Sequence, residues 1–299
     1  MQYVEDFKDY KLLDMANGQK LESWGKYTLV RPDPQIIWDI KTTKLWNTAD
    51  AKYIRSTSGG GHWEIKNKLP DNWQVKYQNL VFNIKPMGFK HTGLFPEQAV
   101  NWKYIIEKIK EEGKKRKEKI KVLNLFAYTG GATVASAYAG AEVCHVDSSK
   151  GMVAWAKENV KSSGLENEKV RYIVDDVVKF VEREIRRGNK YDCIIMDPPS
   201  YGRGAKGEVW SIEKDLYNLL KLCVKVLSDK PVFVLINTYT GGLSGTIIEN
   251  SLRIALENER QDIIKKGRIF SDEIGLKMEG KNIVLPCGIT TKLEIGRNK

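Results

Sequence analysis

The feature that most limits the fold of this chain is an alternation that begins near Ile120, where short apolar, β-branched stretches take turns with longer amphipathic ones. The apolar stretches cover 122–126, 142–146, 170–174, 193–196 and 232–236, each bounded by polar residues or by Gly and Pro. Runs this short and continuously apolar suit strands buried on both faces, because a half-exposed strand would alternate. Between them, 133–139, 150–163, 177–187 and 212–227 repeat apolar residues at helical spacing. Strand, helix and strand joined by short connections predict a parallel sheet with helices on both faces, a doubly wound, Rossmann-like α/β domain over 120–299.

The chain ahead of that domain has a different texture. Residues 1–88 are rich in Trp, Tyr and Gly, with alternating segments such as Tyr27-Thr-Leu-Val30, Gly61-His-Trp-Glu-Ile65 and Leu80-Val-Phe-Asn-Ile84. Turns show at Asn17-Gly18, Arg31-Pro-Asp-Pro34 and Gly59-Gly-Gly61. Period-two alternation between such turns predicts a small β-rich N-terminal domain with a little helix. Residues 89–119 then form a connecting segment, in which Val100, Tyr104, Ile105 and Ile109 recur at helical spacing before the run dissolves into a basic loop at 114–121. Two domains fit a length of 299 residues.

Composition narrows the function classes. The formal net charge of +11 suits a polyanionic partner, and it equally suits a merely lysine-rich chain. The basic loop at 114–121 can track phosphate or serve as a solvated connector. No uncharged apolar run nears the roughly 20 residues that span a bilayer, and the charged N-terminus lacks an apolar leader core, so a cytoplasmic protein is expected. The four cysteines, Cys144, Cys193, Cys223 and Cys287, form no C-x-x-C pair, and the three histidines form no H-x-x-x-H pair. A metal site is not expected.

In a doubly wound sheet ligands bind at the carboxyl ends of the strands, and here those ends carry a coherent set. After the first strand, Ala127-Tyr-Thr-Gly-Gly131 places paired glycines where the backbone turns into a helix and approaches a ligand. The turn is not the G-x-G-x-x-G of a dinucleotide site, and taken alone it fits any strand-to-helix junction. The second strand ends in Asp147, which can accept both ribose hydroxyls or cap the helix that follows. The third ends in Asp175-Asp176-Val177, where Asp176 can accept an adenine amine and the Val177 N–H can donate to a ring nitrogen. N-capping explains Asp176 equally well. The fourth strand ends in Asp197-Pro-Pro-Ser200, followed by Tyr201-Gly-Arg-Gly204. Two prolines there fix a stiff turn and leave the Pro198 carbonyl free to accept. Asp197 and that carbonyl can hold the amine or ring edge of a nucleobase, with Tyr201 stacked on its face.

These residues resemble the class I S-adenosylmethionine-dependent methyltransferases. Asn124-Leu-Phe-Ala-Tyr-Thr-Gly-Gly131 looks like their glycine motif, Asp147 like the ribose acid, Asp176 like the adenine-contacting acid and Asp197-Pro-Pro-Ser200 like the motif of the nucleic-acid and amine methylating branches. His91-Thr-Gly-Leu-Phe-Pro-Glu-Gln98, read with Asn124-Leu-Phe-Ala-Tyr-Thr-Gly130 and Val146-Asp-Ser-Ser-Lys150, is similar to the large-subunit (23S) ribosomal RNA methyltransferases of cytosine C5 or guanine N7. The resemblance implies a seven-stranded methyltransferase domain that binds S-adenosyl-L-methionine and acts on RNA. It implies cofactor contacts from Asn124, Phe126, Ala127, Tyr128, Thr129, Gly130 and Gly131 of the first motif. Asp147 and Ser148, Asp176 and Val177, and Asp197 would add to these, with Phe95 and Gln98 folding over the cofactor and Asp197, Pro198 and Tyr201 serving catalysis. The PUA domain that family members often carry does not precede the β-rich segment in this sequence, which weakens RNA as the expected substrate.

Cytosine C5 methylation needs a thiolate nucleophile, which the family places in the loop after the fifth strand. Here that loop reads Ile236-Asn-Thr-Tyr-Thr-Gly-Gly242 and holds no cysteine. Cys144, Cys193 and Cys223 read as core residues, whereas Cys287, in Leu285-Pro-Cys-Gly288, reads as a loop cysteine able to approach the site. Direct transfer to a ring or exocyclic nitrogen is therefore expected, with Asn237 or Tyr239 lining the pocket and Arg203 and Lys206 on phosphate. Methylation of a small molecule or protein side chain, a nicotinamide-dependent oxidoreductase and a non-catalytic RNA-binding module are the other readings.

Overall fold

The computed structural model describes residues 1–39, 41–57, 60–203, 207, 209–239 and 241–295. Two compact units emerge, one formed by 2–100 with 275–286 and the other by residue 1, 101–274 and 287–299.

Among its described residues the N-terminal part of the first unit holds β1 (Tyr10–Ala16), β2 (Gln19–Trp24), β3 (Tyr27–Pro32), β4 (Ala51–Arg55), β5 (Gly61–Ile65), β6 (Trp73–Tyr77) and β7 (Leu80–Ile84). The first five form a sheet in sequence order, while β6 and β7 pair with each other. Asn17 and Gly18, both at positive φ, make the tight turn that pairs Ala16 with Gln19, as an Asn-Gly hairpin requires. Buried Asp14 accepts hydrogen bonds from the Thr42 N–H at 2.7 Å and Trp46 Nε1 at 2.7 Å, which fixes the long connection to a short 3-10 turn at Lys44–Thr48. Glu22 and Arg31, on neighbouring strands, form a buried bidentate pair at 2.6 and 2.8 Å. The Tyr10 hydroxyl donates to the same carboxylate at 2.8 Å.

The second unit opens with α1 (Ala99–Gly113) and alternates: β8 (Lys121–Leu125), α2 (Gly131–Tyr138), β9 (Glu142–Asp147), α3 (Lys150–Ser162), β10 (Val170–Val174), α4 (Val177–Arg187) and β11 (Cys193–Met196). A small hairpin, β12 (Tyr201–Arg203) with β13 (Val209–Ser211), precedes α5 (Ile212–Cys223) and β14 (Phe233–Thr238). The chain closes with α6 (Gly245–Glu259), α7 (Gln261–Ile264), β15 (Gly267–Lys277) and β16 (Val284–Ile295). The seven-stranded sheet runs β10-β9-β8-β11-β14-β16-β15, parallel through β14 and antiparallel between β14 and β16. The doubly wound reading of the sequence holds. Strand order reverses between β8 and β11, and at such a switch point the connections leave in opposite directions and open a crevice at the strands' carboxyl ends.

The central strands are apolar because helices cover both of their faces. Leu123 and Leu125 of β8, Ile194 and Met196 of β11, and Val234 and Ile236 of β14 share one buried cluster with Leu216, Leu219 and Leu220 of α5 and Leu252 and Leu256 of α6. Each such side chain contributes about 1.5–3 kcal/mol by leaving water. The sheet is accordingly a rigid platform for whatever stands at its edge.

Candidate active site

Register alone lines up the strand ends. Leu125 pairs with Val146 and with Met196, and Met196 pairs with Ile236. One residue further along, Asp147, Phe126, Asp197 and Asn237 therefore stand side by side, at the roughly 4.8 Å spacing of adjacent strands.

The loop between β8 and α2 is strained. Phe126 and Tyr128 adopt left-handed backbone conformations with φ of 52° and 50°, and Gly130 follows at 82°. Non-glycine residues in that region cost about 1–3 kcal/mol each and persist where the surroundings over-determine them. Those surroundings are identifiable. Asp147 accepts the Tyr128 N–H at 2.9 Å, and the Thr129 carbonyl accepts Asn159 Nδ2 of α3 at 2.8 Å. Asn124 donates to Thr133 Oγ1 at 2.9 Å, which in turn lies 2.9 Å from His145 Nδ1. Burial lowers the His145 pKa to about 4, so the ring is a neutral member of this network at neutral pH. Asn124 is buried beneath the loop, its amide donating to the first turn of α2.

Gly130 could not be otherwise. A Cβ there would lie 2.8 Å from the Ala156 Cβ, on backbone already at positive φ. Gly130→Ala is expected to destabilise this unit by about 2 kcal/mol or more. The measurement is a thermal melt, which should move down by at least about 4 °C; an unchanged midpoint would mean that the turn tolerates a side chain.

Asp147 does not cap α3, a role that falls to Ser149, whose hydroxyl accepts from the Met152 N–H. Its second oxygen accepts the Ser149 N–H at 2.8 Å. Burial raises the Asp147 carboxyl above the ordinary value, and the two amide bonds act the other way. Asp176 is the N-cap of α4, its carboxylate accepting the Lys179 N–H at 2.9 Å, with Val177 as the first helical residue.

A cavity of about 510 Å³ gathers Phe126, Asp147, Ser148, Asp176 and Val177 on one side and Pro199, Arg203, Trp210 and Asn218 on the other. Its size suits a nucleoside. The acceptor set suits one too, with the Asp147 and Asp176 carboxylates at two strand ends and apolar side chains such as Phe126, Val177 and Trp210 in the wall. Trp210 went unread in the sequence. It packs on Phe126 with ring centroids 5.0 Å apart and donates from Nε1 to the Pro199 carbonyl at 2.7 Å. The strands β12 and β13 that carry it are three residues each, too short for periodicity to show.

Asp197 heads the second half of the site. Asn237 Nδ2 donates to its carboxylate at 3.4 Å, and the Asn237 carbonyl oxygen accepts Thr290 Oγ1 at 2.7 Å. Asn101 Nδ2 donates to the same hydroxyl at 3.0 Å. This buried chain fixes which end of the Asn237 amide faces Asp197. Pro198 is buried, whereas Tyr201 lies on β12 with 57% of its surface exposed, its hydroxyl accepting Arg203 Nε at 3.3 Å.

Several expectations change. Cys287 lies within β16 and not in a loop, because that strand runs on past Pro286 beyond its pairing with β14. Burial raises the thiol pKa of Cys144 to about 11 and pushes Cys193 and Cys223 up as well, so these three are core residues without nucleophilic character. The basic loop at 114–121 precedes β8 and so stands at the amino ends of the strands, opposite the crevice. Three of its cations are engaged there: Lys115 with Glu111 and Glu112, Arg116 with Asp192 at 3.1 Å and Lys119 with Glu168 at 3.3 Å. Lys206 lies outside the described residues. Phe95 and Gln98 belong to the first unit, where Gln98 closes the 3-10 turn Pro96–Gln98 by donating its N–H to the Phe95 carbonyl at 3.1 Å. Among the described residues no cluster of His, Cys, Asp or Glu is placed to hold a metal, and no helix is long and apolar enough to cross a membrane.

Known proteins identify the family and the fold. The family model of S-adenosylmethionine-dependent methyltransferases matches residues 50–262. A solved S-adenosylmethionine-dependent methyltransferase from Agrobacterium tumefaciens is 35% identical and superposes with a TM-score of 0.90, covering 98% of this chain and 92% of that one. A methyltransferase structure from Streptococcus mutans, 17% identical with a TM-score of 0.74, covers 97% of this chain and 76% of that one and shares the fold. The ribosomal RNA large subunit methyltransferase K/L of Shewanella frigidimarina is 34% identical over 149 residues, which is 49% of this chain and 20% of that protein. This chain thus spans about a fifth of that curated relative. With the family model extending over most of the chain and a ligand crevice where the sheet's topology demands one, the chain belongs to the S-adenosylmethionine-dependent methyltransferases, and S-adenosyl-L-methionine is its methyl donor.

Proposed function

We propose that this enzyme methylates a base of RNA, ribosomal RNA in the first instance, in the cytoplasm and by direct transfer to a ring or exocyclic nitrogen. The observation that carries the reading is Asp197, held at the end of β11 by Asn237 and followed by a buried proline that has no N–H of its own. A carboxylate with the Pro198 carbonyl next to it in sequence can accept hydrogen bonds from an amine and hold its lone pair toward the methyl group. Bound S-adenosylmethionine supplies that electrophilic methyl; the protein's part is alignment, which can account for several kcal/mol of barrier. The buried, protonated state of Cys144, Cys193 and Cys223 supports nitrogen over cytosine C5. The net charge of +11 and the ribosomal RNA activity named for the Shewanella relative support RNA.

On this reading Asp147 accepts the ribose hydroxyls, Asp176 and the Val177 N–H take the adenine edge, and the backbone of 127–131 meets the methionine end. Ser148 lines the ribose side. Tyr201 stacks on the acceptor base. Asp147→Ala should weaken donor binding by about 10- to 100-fold, the equivalent of charge-assisted hydrogen bonds worth about 1.5–3 kcal/mol. Calorimetry with S-adenosylhomocysteine measures it, and an unchanged Kd removes Asp147 from the site.

Mass-spectrometric mapping of ribosomal RNA in cells with and without this protein tests the substrate. One base methylation should disappear. A complete methylation map in its absence would refute the ribosomal target and point to a small molecule or a protein side chain.

A further inference from the structure

The first unit carries a feature that no part of the methyl-transfer site uses. Loop 85–91 follows β7 and is pinned at several points. The Lys85 N–H donates to the Thr92 carbonyl and the Met87 N–H to the His91 carbonyl, both at 3.2 Å. Trp63 Nε1 donates to the Met87 carbonyl at 2.8 Å, the Tyr53 hydroxyl to the Gly88 carbonyl at 3.4 Å and Arg31 to the Lys90 carbonyl at 3.2 Å. A connection held this firmly is shaped for something. At its tip Phe89 is 63% exposed, against the tendency of a large aromatic to find cover.

The surroundings of that tip are cationic. Burial first, and then the like charges of Lys20, Arg55 and Arg31, lower the pKa of Lys90, while Asp33 acts the other way. Arg31, Lys90 and Lys20, after burial, lower His91 to about 4. The opposing carboxylates are already committed: Asp33 to Lys20 at 3.3 Å, and Glu22 to Arg31. Crowding cations around a half-buried lysine is unfavourable in the free protein, and an arriving anion relieves it. An exposed aromatic beside cations is the combination that grips a single strand, since phosphates meet the charges and a base stacks on the ring.

We propose that loop 85–91 is a docking site for single-stranded RNA, in which Lys90 and Arg55 meet backbone phosphates and Phe89 stacks on a base. The site deepens the RNA reading above and rests on it.

The test is a fluorescence-anisotropy titration of the full chain with a labelled 12-nucleotide single-stranded RNA over a range of salt concentrations. Calorimetry with S-adenosylhomocysteine and a thermal melt are run on each variant. Lys90→Ala combined with Arg55→Ala should weaken RNA binding about tenfold at low salt and flatten the salt dependence by roughly 1.4 in slope, the share of two phosphates on a single strand. Phe89→Ala should weaken it at least about fivefold and leave the slope unchanged. Affinity for S-adenosylhomocysteine should stay at the wild-type value in both. If instead the variants lose S-adenosylhomocysteine, the cations serve the donor's carboxylate and the docking site is refuted. Equal and equally sensitive binding of polyglutamate reassigns the surface to an acidic protein and also overturns it. A wild-type chain that binds RNA no differently from the variants defeats this site alone, whereas a wild-type chain that binds no RNA defeats the RNA reading together with it.

Discussion

Asp197→Ala is expected to lower kcat by about 10²–10³ while leaving the affinity for the methyl donor within about threefold of wild type, the size of effect seen when one pre-positioned polar group is removed from a reaction centre. The reasoning starts from the strand. Asp197 follows Met196, the last residue of β11, whose pairing with both β8 and β14 fixes the strand's depth in the sheet. Asn237 reaches the carboxylate from the neighbouring strand end, and Thr290 and Asn101 hold that amide from behind. Three elements distant in sequence thus converge to orient one carboxylate, an arrangement without purpose if Asp197 were simply a solvated strand end. The variant keeps the Pro198-Pro199 turn and the cavity at Phe126, Asp147 and Asp176, so donor binding should persist. Single-turnover kinetics on ribosomal RNA from cells lacking the protein, with calorimetry alongside, separate the two effects. A kcat within fivefold of wild type would show that Asp197 does not touch the acceptor. Asn237→Ala should lower kcat less, because it loosens the carboxylate without removing it.

The parts of this design that were legible in the sequence are those set by local pattern. Strands 170–174 and 193–196 and helix 177–187 match the sequence pattern to the residue: β11 is buried along its whole length, β10 is a short β-branched run at the sheet edge, and α4 carries one apolar stripe. Placing the strands also places Asp147, Asp176 and Asp197 at or just past the carboxyl ends of β9, β10 and β11, where Asp147 and Asp176 line the cavity, whereas Asp175, nearer the end of β10, pairs with Arg183. What stayed hidden depends on contacts between distant residues. Thr290 meets Asn237 across 53 positions and Asn101 across 189, and nothing in the neighbourhood of either marks the partnership. Trp210 sits on a strand of three residues, and Pro286 disguised β16 as a loop. The role of the basic loop stayed open in the sequence for a related reason. Composition reports how much charge a segment carries but not which end of the sheet it occupies, nor that Asp192 and Glu168 already neutralise part of it. Segment 275–286 joins the first unit although its neighbours in sequence belong to the second, through pairings such as Leu12 with Met278 that no periodicity announces.

Glu22→Ala should destabilise the first unit by about 3–5 kcal/mol, the penalty of leaving a buried cation without its counter-charge. Glu22 is fully buried and Arg31 is 5% exposed, and the guanidinium spans both carboxylate oxygens while stacking on Trp24 at 5.2 Å. Burial by itself would raise the Glu22 pKa. The charges of Arg31 and Lys20 and the hydrogen bonds from Arg31 and Tyr10 overcome it and hold the carboxyl at about 2, against an ordinary value of 4.5. A depressed carboxylate pKa contributes stability that is fully present above the ordinary value and is lost as pH falls through the folded-state value. The wild-type unit should therefore lose about 3 kcal/mol between pH 4.5 and pH 2 from this group. Urea unfolding followed by tryptophan fluorescence measures both effects, with Trp24 reporting from the pair itself. The double variant Glu22→Leu with Arg31→Met is the decisive companion. It removes both charges together, so its stability at pH 7 should return to within about 2 kcal/mol of wild type, and its unfolding should no longer carry the acid dependence of this pair. A single Glu22→Ala variant as stable as wild type at pH 7 would mean that Arg31 finds water or another acceptor in the folded unit. If both variants instead fall equally far, the loss is one of packing against Trp24, and the ion pair is not what holds these strands.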